Sequence, residues 1–189
     1  YKRQLLVCSI ILMVATGISI ILTKELYFSR ISRESQLAYY AADNAMMCAI
    51  MVDDQYIDPI SGIGIFPYNS LVTMQSVLDQ VNLGRQYRNL GSMTLDDIAC
   101  ATSPIFNTAV SSFVSVPFSR TNSFGEIENG QKSVFSMRMN LGDGNFRCAN
   151  VLVYKTEKFR QIIARGFASC GGGTGHPIER AIVNTTEVK

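Results

Sequence analysis

The chain of 189 residues is 47% apolar, which supplies one domain with a real core plus an appendage and is too little for two full domains. Lysine and arginine total 17 against 15 acidic residues, and a net charge of +2 leaves no electrostatic case for a nucleic-acid groove or a strongly acidic partner. A single histidine, His176, rules out a site built from two or more imidazoles.

The charge is informative where it is missing. No Asp, Glu, Lys or Arg lies between Gln4 and Thr23. As a helix, the apolar run from Leu5 to Thr23 would reach roughly 28 Å, close to the hydrocarbon thickness of a bilayer. Lys2 and Arg3 precede the run and Lys24 and Glu25 follow it. The basic flank assigns the amino terminus to the cytoplasmic side and the body from Glu25 onward to the outside. A cleaved secretory signal fits less well, because its apolar region is shorter and ends at an A-x-A-like site that is not seen here. The first residue is Tyr rather than Met, which reads as a product that has lost a leader.

The helix is expected to continue past the membrane-length segment. Neither Pro nor Gly occurs between Glu25 and Val52, and Leu37, Ala41, Ala45, Cys48 and Val52 recur at the spacing of one helix face. Alanines between residues 38 and 49 let another layer approach closely and favour helix. Arg30, Arg33, Glu34 and Asp43 lie on the opposite face, a solvated or intersubunit surface, with a polar face in water the plainer reading of each. Residues 1–25 therefore read as a transmembrane or filament-core segment and 26–52 as its amphipathic continuation.

Residues 53–131 form a variable region. Asp53, Asp54, Asp58 and Pro59, followed by SGIGIFPYNS, read as loop. Leu71, Met74, Val77, Leu78 and Val81 give a helical pattern within 71–90 that Gly84 is expected to interrupt. An edge strand is expected around 108–118, where Pro117 is tolerated.

Residues 132–189 read as an antiparallel sheet of about four strands. Ser133, Phe135, Met137 and Met139 alternate with Val134, Ser136, Arg138 and Asn140, and residues 141–145 (LGDGN) carry hairpin chemistry. Three more strands are expected at 147–155, 160–169 and 179–188, joined by a short turn at 156–159 and a Gly-rich loop at 171–177. One sheet face must be covered, and the only long apolar helix face is Leu37 to Val52. The expected class is α+β.

Cys8 lies inside the apolar run, which leaves Cys48, Cys100, Cys148 and Cys170 outside, with three connectivities open in an oxidising compartment. Cys148 and Cys170 are equidistant from residue 159, near the turn joining their strands. A symmetric hairpin would set them opposite each other, so Cys148–Cys170 is predicted and, by elimination, Cys48–Cys100.

No catalytic constellation is legible. GGGTG at 171–175 lacks the GxxxxGK[ST] frame and precedes no helix start. Asp53, Asp54 and Asp58 lack EF-hand spacing, no CxxC suits zinc, and Ser169 has no GxSxG elbow. The sequon at 184–186 matters only in a glycosylating host. No catalytic residue, cofactor or metal ligand is assigned.

The hydrophobic amino terminus running into ISRESQLAYYAADNAMMCA (31–49) resembles the PilX-like branch of type IV pilins, with Asp43 in the acidic place of an xxSxxLAxxAAExA-type pattern. RCANVLVYK (147–155) and RGFASCGGGTGHPIERAI (165–182) resemble the strand, Cys-loop and VERA-type final strand of the same branch. These stretches cover about half of the chain, and 53–131 match nothing in the family.

The resemblance implies a lollipop-shaped subunit, cleaved by a prepilin peptidase and methylated at its new terminus, held in the bacterial inner membrane until pilus machinery draws it into a helical filament with copies of itself and other pilins. Its assembly helix would carry Tyr1, Leu5, Leu6, Ile10, Ile11, Met13, Val14, Gly17, Ile18 and Ile21, with local melting near Gly17 in the fibre. Leu37, Ala41, Ala45 and Val52 would pack on the sheet, and the head would be exposed for attachment to a host or partner cell surface or for motility. This sequence departs from the family at Tyr1, Lys2, Arg3 and Leu5, where Phe or Met at the first position and Glu at the fifth are usual. The missing acid is a mark of some minor, tip-located pilins. The rival classes are a membrane-anchored binding module that never polymerises, with 53–131 as its ligand site, and a tethered enzyme.

Overall fold

Helix α1 (Lys2–Gln55) runs unbroken through both halves of the amino-terminal segment in the computed structural model. The structure describes residues 1–69, 71–88, 90–94, 97–100, 103–104, 114–122, 124–140, 146–170 and 178–187, without the side chains of residues 2, 99, 100, 103, 104 and 140. Its 54 residues give a rod of about 80 Å. No proline occurs before Pro59, and Gly17 is an isolated helix-weakening residue that the flanking strong formers override. The helix ends where Tyr56 N–H bonds to Val52 O at 3.1 Å and the chain turns. In that turn the Asp58 carboxylate accepts from Ile60 N–H at 2.9 Å and from the Ser61 hydroxyl, while Gly62 adopts a φ of 69° that a side chain would resist.

Asp53 and Asp54, read from the sequence as loop, belong instead to the last turn of α1. Their partners come from the far end of the sheet, so local composition carries no trace of what holds them. Helix α2 (Met74–Gln86) starts at a capping box in which Thr73 and Ser76 satisfy each other's backbone N–H groups. Gly84 lies inside α2 rather than interrupting it, because Met74, Val77 and Leu78 anchor the helix to the core.

Strands β1 (Ala99–Cys100) and β2 (Ser103–Pro104) form a small antiparallel pair. The main sheet contains β3 (Val114–Thr121), β4 (Ile127–Asn140), β5 (Phe146–Thr156), β6 (Phe159–Phe167) and β7 (Glu179–Glu187) in chain order, every neighbour antiparallel. It has five strands where about four were expected. The strand anticipated around 108–118 pairs with β4 as an edge, and its portion before residue 114 lies outside the described residues. β4 begins at Ile127, upstream of the expected boundary at 132, because β3 supplies partners as far as Thr121. The expected hairpin at 141–145 and the Gly-rich loop at 171–177, with His176, also lie outside the described residues.

The two-residue period sorts the sheet into two faces. Phe135, Met137 and Met139 of β4, Ala149, Val151 and Val153 of β5, and Ile162 and Ala164 of β6 are buried on the face that receives α1 and α2. Phe66 stacks on Phe135 with ring centroids 5.6 Å apart, tying the segment before α2 to β4. On the opposite face Val114, Val134, Leu152, Ile163 and Val183 are directly paired across all five strands, an aliphatic row that supports the register.

Candidate functional site

The front half of α1 carries the feature with most functional content. Tyr1 is fully exposed, and Leu5, Leu6, Ile10, Ile11, Met13, Val14, Ile18 and Ile21 are between 53% and 75% exposed. No residue of the most apolar 18-residue window is buried. Covering one such side chain is worth about 1.5–3 kcal/mol, so the segment is far from its preferred environment in water.

Three of its hydroxyl side chains bond back onto the helix. The Ser9 hydroxyl donates to Leu6 O at 2.8 Å, Thr16 to Leu12 O at 2.9 Å and Thr23 to Ser19 O at 3.0 Å. Hydroxyls turned back onto helix carbonyls need no water, which suits a segment immersed in lipid or packed against other helices. Tyr27 and Phe28 stand exposed just beyond Lys24 and Glu25, where an aromatic belt would meet a bilayer surface. One long apolar amino-terminal helix is compatible with a membrane anchor.

From there α1 changes partner. Ser35 Oγ accepts from Arg180 Nε of β7 at 2.7 Å, and Ala38 is the first fully buried residue. Ala41, Ala42, Ala45, Ala49 and Val52 follow with almost no exposure, while Leu37 is half-buried at the rim. The approach is tight at Gly166 of β6, where an added Cβ would lie 2.0 Å from Ala38 O and 2.4 Å from Ala42 N. Small residues on both partners let the helix backbone sit directly on the sheet. Thus Ala41, Ala45 and Val52 of the expected packing face are in the interface, joined by Ala38, Ala42 and Ala49.

At the carboxyl end of α1 an ion-pair cluster locks helix to sheet. Lys155 Nζ lies 2.8 Å from both carboxylate oxygens of Asp53, and Arg160 Nη1 reaches Asp53 Oδ2 at 3.0 Å and Asp54 Oδ1 at 2.5 Å. Asp53 also accepts from Phe66 N–H at 3.3 Å. Burial alone would lower the Arg160 guanidinium, but the carboxylates of Asp54 and Asp53 outweigh it and hold the group above its ordinary value. Asp53 and Lys155 are nearly inaccessible, so the pair is a fixed element of the fold. Among the described residues no cluster of three acidic, Cys or His side chains is arranged for a cation. Sequence reading gave these acids no partner. The alternation of β5 places Lys155 on the core face and was the one available signal.

Cys148 and Cys170 are disulfide-bonded, but not as opposed residues of a symmetric hairpin. The register sets Cys148 opposite Phe167, and Cys170 returns to it from beyond the end of β6. The tight turn between Thr156 and Phe159 shifts the axis of the hairpin towards β5. Cys48 is also disulfide-bonded, and the side chain of Cys100, its predicted partner, lies outside the described residues. Cys8 is an exposed free thiol on the apolar segment.

No protein-family model, curated protein or solved structure matches the chain.

Proposed function

We propose that this chain is a structural subunit of a type IV pilus or a related helical filament, anchored in the inner membrane before assembly and presenting its head at the bacterial surface. The observation that carries the reading is the split character of α1. Its front half is apolar and exposed, and its back half is fixed to a disulfide-bonded sheet. Such a segment exchanges lipid for the apolar helices of neighbouring copies without passing through water. The order of motifs at 31–49, 147–155 and 165–182 supports the same reading. Its partners are then other copies, other pilins and the assembly machinery, and its role is mechanical rather than catalytic.

Leu5 supports a second, narrower reading. With no carboxylate before Glu25, the helix cannot neutralise the terminal amine of a neighbour at the fifth position, which fits a minor or tip subunit better than the bulk one. Shearing cells and imaging the released material with an antibody to the head separates the cases. Label along fibres marks the bulk subunit and label at fibre ends a tip subunit. Protein that stays wholly in the membrane fraction rejects the filament and leaves an anchored binding module.

A further inference from the structure

Helix α1 covers β5, β6 and β7, and the Phe66 segment covers β4, so among the described residues the helix-side face of the edge strand β3 is left open. That open strip is one side of a groove of 650 Å³, within the range of small-molecule sites. Its lining includes Pro117 of β3, Asn129 and Gln131 of β4, Tyr68 and Asn69, and Glu157 of the β5–β6 turn.

The hydrogen bonding of the three amides is polarised. Leu71 N–H donates to Asn69 Oδ1 at 2.9 Å, the Ser119 hydroxyl to Asn129 Oδ1 at 2.8 Å, and the Ser115 hydroxyl to Gln131 Oε1 at 3.0 Å. Among the described residues the amide NH2 groups of all three make no hydrogen bond, although Gln131 is only 6% exposed. The groove thus offers three amide donors, the Glu157 carboxylate as acceptor and the aromatic residues Tyr68 and Phe118, and no lysine or arginine is among its described lining residues.

We propose that this groove binds a neutral carbohydrate, with Tyr68 against the apolar face of a sugar ring, the amides of Asn69, Asn129 and Gln131 donating to its oxygens, and Glu157 accepting from a hydroxyl. A sugar combines a face of C–H groups with a rim of oxygens that both accept and donate, and that mixture is what the lining complements. An anionic ligand would meet Glu157 with no cation among the described lining residues to offset it. A purely apolar ligand would leave the amide groups without partners. The inference rests on the globular body alone and goes beyond the assembly role.

The test uses the full chain in phosphocholine micelles, which carry no sugar headgroup, with saturation-transfer NMR against maltotriose, lactose, N-acetyllactosamine and sialyllactose. Saturation of at least one neutral probe is expected, with a dissociation constant around 1 mM for so open a site. Binding should weaken about tenfold or more in Tyr68→Ala and in Asn129→Ala, and stay unchanged in Gln161→Ala on the far face of the sheet. Asn129 is exposed, so its variant keeps the test sound if Tyr68→Ala disturbs the fold. Sialyllactose should bind more weakly than lactose, and Glu157→Gln should narrow that gap. No transfer to any neutral probe at about 10 mM, undiminished binding in Asn129→Ala, or a preference for sialyllactose would each overturn the proposal.

Discussion

Lys155 Nζ sits 2.8 Å from each carboxylate oxygen of Asp53, a residue 102 positions earlier in the chain, and joins the end of α1 to the turn end of β5. Both side chains are almost fully buried, and Arg160 completes the cluster at 3.0 Å. Replacing Asp53 by Asn removes the carboxylate that faces the nearly buried Lys155 Nζ. The expected loss is about 3–5 kcal/mol in urea unfolding of the micelle-bound chain. Changing both partners together, Asp53→Leu with Lys155→Met, should cost clearly less than Asp53→Asn. Equal losses would mean that the pair is not what fixes the helix end.

The contact between Gly166 and the α1 backbone leads to a second prediction. A methyl group at this position collides with Ala38 O and Ala42 N, two backbone atoms that cannot rotate away. Gly166→Ala should destabilise the body by about 1–3 kcal/mol, with a larger loss for Gly166→Val. Gly17→Ala is the matched comparison, since nothing lies within 4 Å of Gly17, and it should stabilise the helix by about 0.5–1 kcal/mol. Thermal unfolding followed by circular dichroism reads both variants.

Asp58 supplies a pH dependence. The Ser61 hydroxyl foremost, with the Ile60 and Ser61 N–H groups and against the opposing effect of burial, holds its carboxyl below the ordinary value of 3.8. The folded state therefore takes up this proton less readily than the unfolded chain. The stabilisation is complete above the unfolded pKa and is lost as pH falls through the lower folded value. Stability measured from about pH 5 down to about pH 2 should fall more steeply in the wild type than in Asp58→Asn.

The apolar run makes a prediction about insertion. Val14 is near its centre and fully available to lipid. Val14→Arg should disfavour insertion by about 2.5–3.5 kcal/mol and shift the protein towards the soluble fraction after carbonate extraction. Val14→Leu should remain in the membrane fraction. If Val14→Arg is retained as well as wild type, this segment is not what holds the chain there.

The Cys148–Cys170 bridge closes a loop with a sequence separation of 22. The Cys148→Ser/Cys170→Ser double variant, which leaves the bridge at Cys48 in place, should lower stability by about 2–4 kcal/mol. Peptide mapping without reduction should recover the two cysteines in one cross-linked fragment. The same map tests the predicted Cys48–Cys100 pairing, and finding either cysteine joined to another partner would reject it.

Much of the architecture could be read along the chain because it is written in local periods. The absence of charge between Gln4 and Thr23, the spacing of Ala41, Ala45 and Val52, and the alternation of Phe135, Met137 and Met139 each report a face or a span that no distant residue needs to supply. Length, helical character and the covered sheet face follow from these, whereas the Cys148–Cys170 pair was expected from a hairpin symmetry that the register does not have. The carbohydrate groove was illegible for the opposite reason. Tyr68, Asn129 and Glu157 belong to three separate segments, and each alone is an ordinary surface residue.

What the sequence determined by itself is a helix of two characters and a sheet with one apolar face, since hydrophobic period and span are properties of consecutive residues. Tertiary structure alone decided that Asp53 would be met by Lys155 and Arg160, that Gly166 would lie against the α1 backbone, and that the edge strand expected near 108–118 would join the main sheet as its fifth strand. Those outcomes depend on register and on packing between residues far apart in the chain, and a one-residue change of register would turn Lys155 to the other face of the sheet.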